Sequence, residues 1–202
     1  MKKVIISNGF TNFPLRFVAE GLHKKGHDVV LLTGIYPFKK LITLFKILHI
    51  DKFGPIQRII NRKISIPDKK IQSFFISEIL YQIARNLYNH FDSIKKIYKY
   101  IDFNAAKSYQ LSSNKFLKNL PLNQKYIYLC RAGYGGKSLI RNKNFKVFVE
   151  HQNVHPKIFF SAIQKKGRIT KNIKFKDKLD GLYIHIKNDL DSSKNLIILG
   201  EQ

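Results

Sequence analysis

The stretch at residues 126–156, YIYLCRAGYGGKSLIRNKNFKVFVEHQNVHP, decides the fold. It passes from an apolar segment through a glycine-rich bend and a short basic helix to a second apolar segment, then into a polar loop holding His and Asn. Alternation of this kind is the pattern of a parallel α/β sheet, in which ligand chemistry collects in the loops beyond the carboxyl ends of the strands. Strands are therefore expected at 126–130 and 146–149, with the functional loops directly after them.

Toward the amino end, residues 4–6 form a short apolar run closed by the turn formers Ser7, Asn8 and Gly9, which predicts the first, central strand. A helix should follow, capped by Asn12, with Pro14 in its first turn and an apolar face of Phe13, Phe17, Val18, Gly21 and Leu22. Lys24 and Lys25 suit the negative helix end, and Gly26 suits a left-handed stop. The run 28–32, DVVLL, then reads as a second strand buried on both faces, completing a β-α-β unit.

Residues 37–121 are mostly helical in pattern. Ile76, Leu80, Ile83, Leu87, Phe91, Ile94, Tyr98 and Ile101 recur by fours and threes, predicting a core-facing stripe on a helical pair broken near Asp92 and Ser93. A brief strand at 64–66, ended by Pro67, is expected as a third sheet member, and a last strand at 195–199. A doubly wound domain normally follows each strand with a covering helix, so the carboxyl end reads as cut rather than finished. The expectation is one α/β domain over 1–202, Rossmann-like and doubly wound, with a mainly parallel sheet, helices on both faces and a helix-rich insertion at about 37–123.

Composition narrows the partners. The chain has 202 residues with 37 Lys and Arg against 13 Asp and Glu, a formal charge of +24, which implies attraction to anionic surfaces such as nucleic acid or acidic lipid. The single cysteine, Cys130, forms no internal disulfide and sits in an apolar run as a buried thiol, which fits the cytosol. The apolar run 4–6 is too short for the core of a signal peptide. The segment 41–50 has about half the length needed to span a bilayer, and Lys46 interrupts it, so it is expected to lie on a membrane or pack as a half-buried helix. Lys39, Lys40, Lys46 and Lys52 are the candidate contacts with an anionic membrane surface.

Three loops carry candidate chemistry. Residues 131–138, RAGYGGKS, end as a phosphate-binding loop does, but Arg131 stands at the first required glycine and Glu150 follows Lys137 too closely. Backbone amides at this bend could receive an anion or a sugar hydroxyl, or the glycines simply permit a tight strand-to-helix turn. Residues 150–156, EHQNVHP, mix groups that grip polyols, and the alternative is a loop-stapling role. A metal is disfavoured there, because His151 and His155 converge only on a helix and Pro156 argues for a loop. Residues 7–12, SNGFTN, lack the repeated glycines of a dinucleotide fingerprint, so NAD and FAD are not expected. No Cys/His array, metalloprotease helix or G-x-S-x-G elbow occurs.

The stretches KKVIISNGF, VAEGLHKKGHDVVLLTG, AGYGGKSLI with KVFVEHQNVHP, and SSKNLIILGEQ resemble the glycosyltransferase family 4-like N-terminal domain of the GT-B architecture. They cover the two ends of the chain; the middle, 37–123, matches only in helical character and in the strand-like turn ISIPDK at 64–69. The resemblance implies an acceptor-side domain facing a second Rossmann-like domain that holds a nucleotide-sugar donor. Carried over by position, Asn8 and Gly9, then Gly133, Tyr134, Gly135 and Gly136, then Glu150, His151 and His155 would line the acceptor side of the interdomain cleft. In such families a His at this strand end contacts the transferred sugar, and either His151 or His155 could fill that place.

The sequence departs from the family in carrying the single Gly9 where many relatives have a pair. The donor-site pair of glutamates eight positions apart is also absent; in the family it belongs to the C-terminal half. The implied activity is transfer of a sugar to a hydroxyl acceptor in polysaccharide or glycolipid synthesis. It would require a C-terminal half or a separate partner chain, with no catalytic residue, metal or cofactor held by this domain alone. The implied location is cytoplasmic, peripheral on the inner face of the membrane. The rival expectation is a noncatalytic basic module for nucleic acid or another anion. Against it, Tyr and Phe lie on apolar faces rather than between lysines on strands.

Overall fold

The computed structural model describes residues 2–10, 14–90, 95–136, 143–151, 182–192 and 195–198. Six strands form one parallel sheet: β1 Lys3–Ser7, β2 Val29–Thr33, β3 Ile71–Ser73, β4 Tyr126–Arg131, β5 Phe145–His151 and β6 Leu196–Ile198. Their order is β3-β2-β1-β4-β5-β6. The chain builds outward from β1 in one direction as far as β3, then returns to the other side of β1 to lay down β4. This reversal makes the carboxyl ends of β1 and β4 the topological switch point of a Rossmann-like α/β fold.

Period-two alternation on the central strand divides the core. Ile5 faces one layer with Leu32, Tyr128, Cys130 and Val149 under Leu117 and Leu190, whereas Val4 and Ile6 face the other with Leu31, Leu15 and Ala19. Helices therefore cover both faces: α1 (Leu15–Lys24) on one, and α5 (Lys95–Lys118) with α6 (Leu182–Ser192) on the other. The five residues of β2 are all buried, as its continuous apolar run predicts.

The first helix differs from its expected face. Leu15 and Ala19 are buried, while Phe17 and Val18 are 56% and 39% exposed. Asn12 and Phe13 lie outside the described residues, and the side chain seen capping this helix is Asn8, whose Oδ1 accepts the Arg16 amide at 3.0 Å. The far end stops as predicted, with Gly26 at φ +83°.

The third strand also moves. Residues 64–66 form no strand; Ile64 and Ile66 are core residues, and the Tyr36 hydroxyl accepts the Ile64 amide at 3.4 Å in place of a ladder bond. Ile66 is followed by Pro67, which has no amide to offer a ladder. After a 3-10 turn at Asp68–Lys70, the strand begins at Ile71, paired with Leu31 of β2.

Between β2 and β4 lie α2 (Lys39–Ile47), α3 (Gly54–Ile60), α4 (Phe75–His90) and α5. The expected helical pair is α4 with α5, but the apolar stripe of α4 points outward: Ile76, Leu80 and Ile83 are 59%, 37% and 48% exposed. The inward face of α4 carries Ser77 and Glu78, and Ser77 donates to Ser108 of α5 at 3.0 Å. On α5 the buried row is Asp102, Ala105, Ala106, Tyr109, Ser113 and Leu117. Small and hydrogen-bonded side chains let the two helices approach closely, which releases the larger apolar row from the interface. Tyr98 and Ile101 are half-buried, whereas Phe91 and Ile94, with the break at Asp92 and Ser93, lie outside the described residues. Among the described residues no helix is long and apolar enough to cross a membrane.

Candidate functional site

The loops after β1 and β4 meet at the switch point through aromatic packing. Gly9 adopts φ +75°, and a Cβ placed on it would come within 2.6 Å of the Tyr134 ring. Glycine is required here twice over, by backbone conformation and by space. The Gly9 amide donates to the Tyr109 hydroxyl at 3.2 Å, and that hydroxyl shares a second hydrogen bond with Ser7 Oγ at 3.1 Å. Phe10 packs against Tyr81, Tyr109 and Tyr134 with ring centroids 5.4, 5.5 and 5.0 Å away, the last two edge-on. Burial raises the hydroxyl pKa values of Tyr109 and Tyr134 well above the usual phenol range, so both stay protonated.

The glycine bend after β4 is closed around an internal carboxylate. Asp189 of α6 accepts the amides of Gly133 and Gly135 on Oδ2, each at 2.9 Å, and the amide of Gly136 on Oδ1 at 3.2 Å. Successive amides turned to one side form an anion nest, and the anion here belongs to the chain itself. The Gly133 carbonyl is also engaged, accepting Gln110 Nε2 at 2.9 Å. Gly135 lies so close to Cys130 that a Cβ would meet its sulfur at 2.6 Å. Cys130 is buried as expected, and its thiol pKa is pushed well above the ordinary value by burial and then by Asp189 and Glu150.

One strand over, Arg131 and Glu150 are register partners at the ends of β4 and β5. Arg131 Nη1 lies 3.4 Å from Glu150 Oε2, and the carboxylate is 1% exposed. Its second oxygen, Oε1, is buried without a hydrogen-bond partner among the described residues. Burial raises the Glu150 pKa while Arg131 opposes that shift, and burial likewise lowers the Arg131 pKa. At 1% exposure the carboxylate is screened from solvent, and its direct contact is with Arg131, which it holds at the strand end. His151, half-buried, ends β5 beside it.

The predicted site residues thus fall into two sets. Asn8, Gly9, Gly133, Tyr134, Gly135 and Gly136 converge on the switch point, where they are buried and bonded to the protein. Glu150 and His151 end the neighbouring strand on the same sheet edge. His155 lies outside the described residues, as do Lys137 and Ser138. Lys39, Lys40, Lys46 and Lys52 are exposed on α2 and the turn after it. Sequence reasoning missed Tyr109 and Asp189, both on helices and distant in the chain from the loops they hold. It also missed Glu78, fully buried, which accepts the Ile35 amide at 2.7 Å and pairs with Arg62 at 2.8 Å beyond β2. Among the described residues no cluster of His, Cys, Asp and Glu is arranged to hold a metal ion.

No protein-family model, curated protein or solved structure matches this chain.

Proposed function

We propose that the chain is the acceptor-side half of a GT-B-like glycosyltransferase, working against a second Rossmann-like body that binds the nucleotide-sugar donor. The observation that carries this reading is the carboxyl edge of the sheet, where buried Glu150 holds Arg131 and half-buried His151 ends β5, one strand from the switch point. An imidazole at this edge can position a hydroxyl acceptor, with the Arg131–Glu150 pair fixing the strand end beside it. The self-filled nest also supports an acceptor role: with Asp189 on them, the amides of Gly133, Gly135 and Gly136 are not free to cradle a donor phosphate.

In this role the domain orients a glycan or lipid-linked hydroxyl, while the opposing half grips the diphosphate and excludes water. The acceptors lie at the cytoplasmic face of a membrane or on a growing polysaccharide. The test is incorporation of radiolabelled sugar from nucleotide sugars into lipid-extractable and polymeric products. The chain is assayed alone, then co-expressed with a separate Rossmann-like polypeptide that binds a nucleotide sugar. Transfer is expected for the pair and not for the chain alone, with a loss of about tenfold or more for Glu150→Gln or His151→Ala. Full activity in both variants of the active pair would overturn the reading.

A further inference from the structure

An open apolar groove of about 1060 Å³ runs between α2 and the start of α4, at the carboxyl ends of β2 and β3. Phe38, Leu41, Leu44 and Phe45 line it from the α2 side, with Phe75 and Ile79 opposite. Its volume lies at the upper end of the range of about 300–1,000 Å³ typical of ligand pockets. The apolar surface continues outside: Phe75, Ile76, Ile79, Leu80 and Ile83 of α4 are all exposed, as are Ile47, Leu48 and Phe53. None of the nine residues of α2 is fully buried. A contiguous apolar face of this kind is uncommon on a water-facing surface and marks an interaction site.

The charge around the groove selects the partner. Residues 37–63 hold seven Lys and Arg but the single acid Asp51. Arg62 and Lys63 are paired with Glu78 and Asp68. Lys39, Lys40, Lys46, Lys52 and Arg58 are exposed and form no ion pair among the described residues. Asp68, the one acid lining the groove, is already bonded to Lys63 and to the Lys39 amide. Apolar residues bordered by unpaired cations match the boundary between acyl chains and anionic headgroups, with long lysine side chains reaching outward to phosphate.

We infer that the α2–α4 face docks on an anionic bilayer and that the groove takes up one hydrocarbon chain of an anionic lipid, with Lys39 and Lys40 at its headgroup. This goes beyond the transfer reading and does not require it, since lipid uptake is measured without any sugar donor.

The chain contains no tryptophan, so a single introduced one is an unambiguous probe. Phe45→Trp reports from the groove, and Leu122→Trp, 73% exposed before the amino end of β4, reports from the opposite sheet edge. With phosphatidylglycerol vesicles brominated mid-chain, the Phe45→Trp emission should shift to the blue and be quenched, the Leu122→Trp emission should not change, and phosphatidylcholine vesicles should have little effect. Lys39→Ala with Lys40→Ala should weaken vesicle binding about 25-fold, roughly fivefold per lysine. Leu44→Asp should abolish the quenching while residual salt-sensitive binding persists.

Binding that vanishes at high salt with no quenching of Phe45→Trp would overturn the groove as a chain site. A blue shift of Phe45→Trp that grows with protein concentration in lipid-free buffer, matched by a dimer in sedimentation, would overturn it by assigning the face to a second copy.

Discussion

Gly9 and Asp189 illustrate how single residues fix the switch point. At Gly9 the backbone is left-handed and the Tyr134 ring occupies the space of a side chain, so Gly9→Ala combines a conformational cost with a clash. Left-handed backbone alone costs roughly 1–2 kcal/mol and overpacking about 1–3. Urea unfolding of Gly9→Ala should show a loss of about 2–5 kcal/mol; a loss below about 0.5 would mean that the two loops do not pack as described. Asp189→Ala leaves three buried amides without their acceptor and should cost about 3 kcal/mol or more, with Asp189→Asn intermediate because one oxygen remains. The glycines of 133–136 were legible as a turn from their spacing. Their partner was not, because nothing local in the sequence ties Asp189 to a bend more than fifty residues earlier.

At the scale of elements, the strands were the most legible part, since a buried parallel strand is a short apolar run between turn formers. The helices misled where apolar residues face outward. The outward stripe of α4 has the helical spacing expected of a core, and periodicity reports a face without saying what covers it. Two substitutions separate the faces. Ile76→Lys on the exposed row should change stability by no more than about 0.5 kcal/mol, and Ala105→Leu on the inward row of α5 should cost about 1–3 kcal/mol by overpacking. Equal effects would contradict the assignment.

The docking of α6 on α5 should also depend on pH. His185 is buried, stacks on Phe103 at 4.5 Å between ring centroids, and hydrogen-bonds the Phe103 carbonyl at 3.2 Å. Burial lowers its pKa, Lys107 lowers it further, and the carbonyl contact only partly opposes this. The folded state therefore favours the neutral ring, and the unfolded chain takes up the proton first as pH falls. The resulting stability is fully present above the usual imidazole value of about 6.5 and is lost as pH drops from there toward the lower folded-state value. Hydrogen exchange in α6 should accelerate over that interval in the native protein and much less in His185→Phe.

For the whole molecule, the strand order, the parallel sheet and the two covered faces put the loops after β1, β4 and β5 on one edge. That edge is the proposed boundary with a donor-binding body, and the α2–α4 face lies farther along the same edge, beyond β2 and β3. The parallel sheet and the order of elements around β4 and β5 could be read from residues 126–156, while the internal carboxylate and the exposed apolar row of α4 required the fold. The decisive measurement is amide hydrogen exchange on this chain with and without the co-expressed second half. Slowed exchange at Gly9 and Phe10, Arg131–Gly136 and Glu150–His151 is predicted. Protection confined to the amino edge, around Lys2, Lys125 and Asn144, would contradict the acceptor-side half of a cleft.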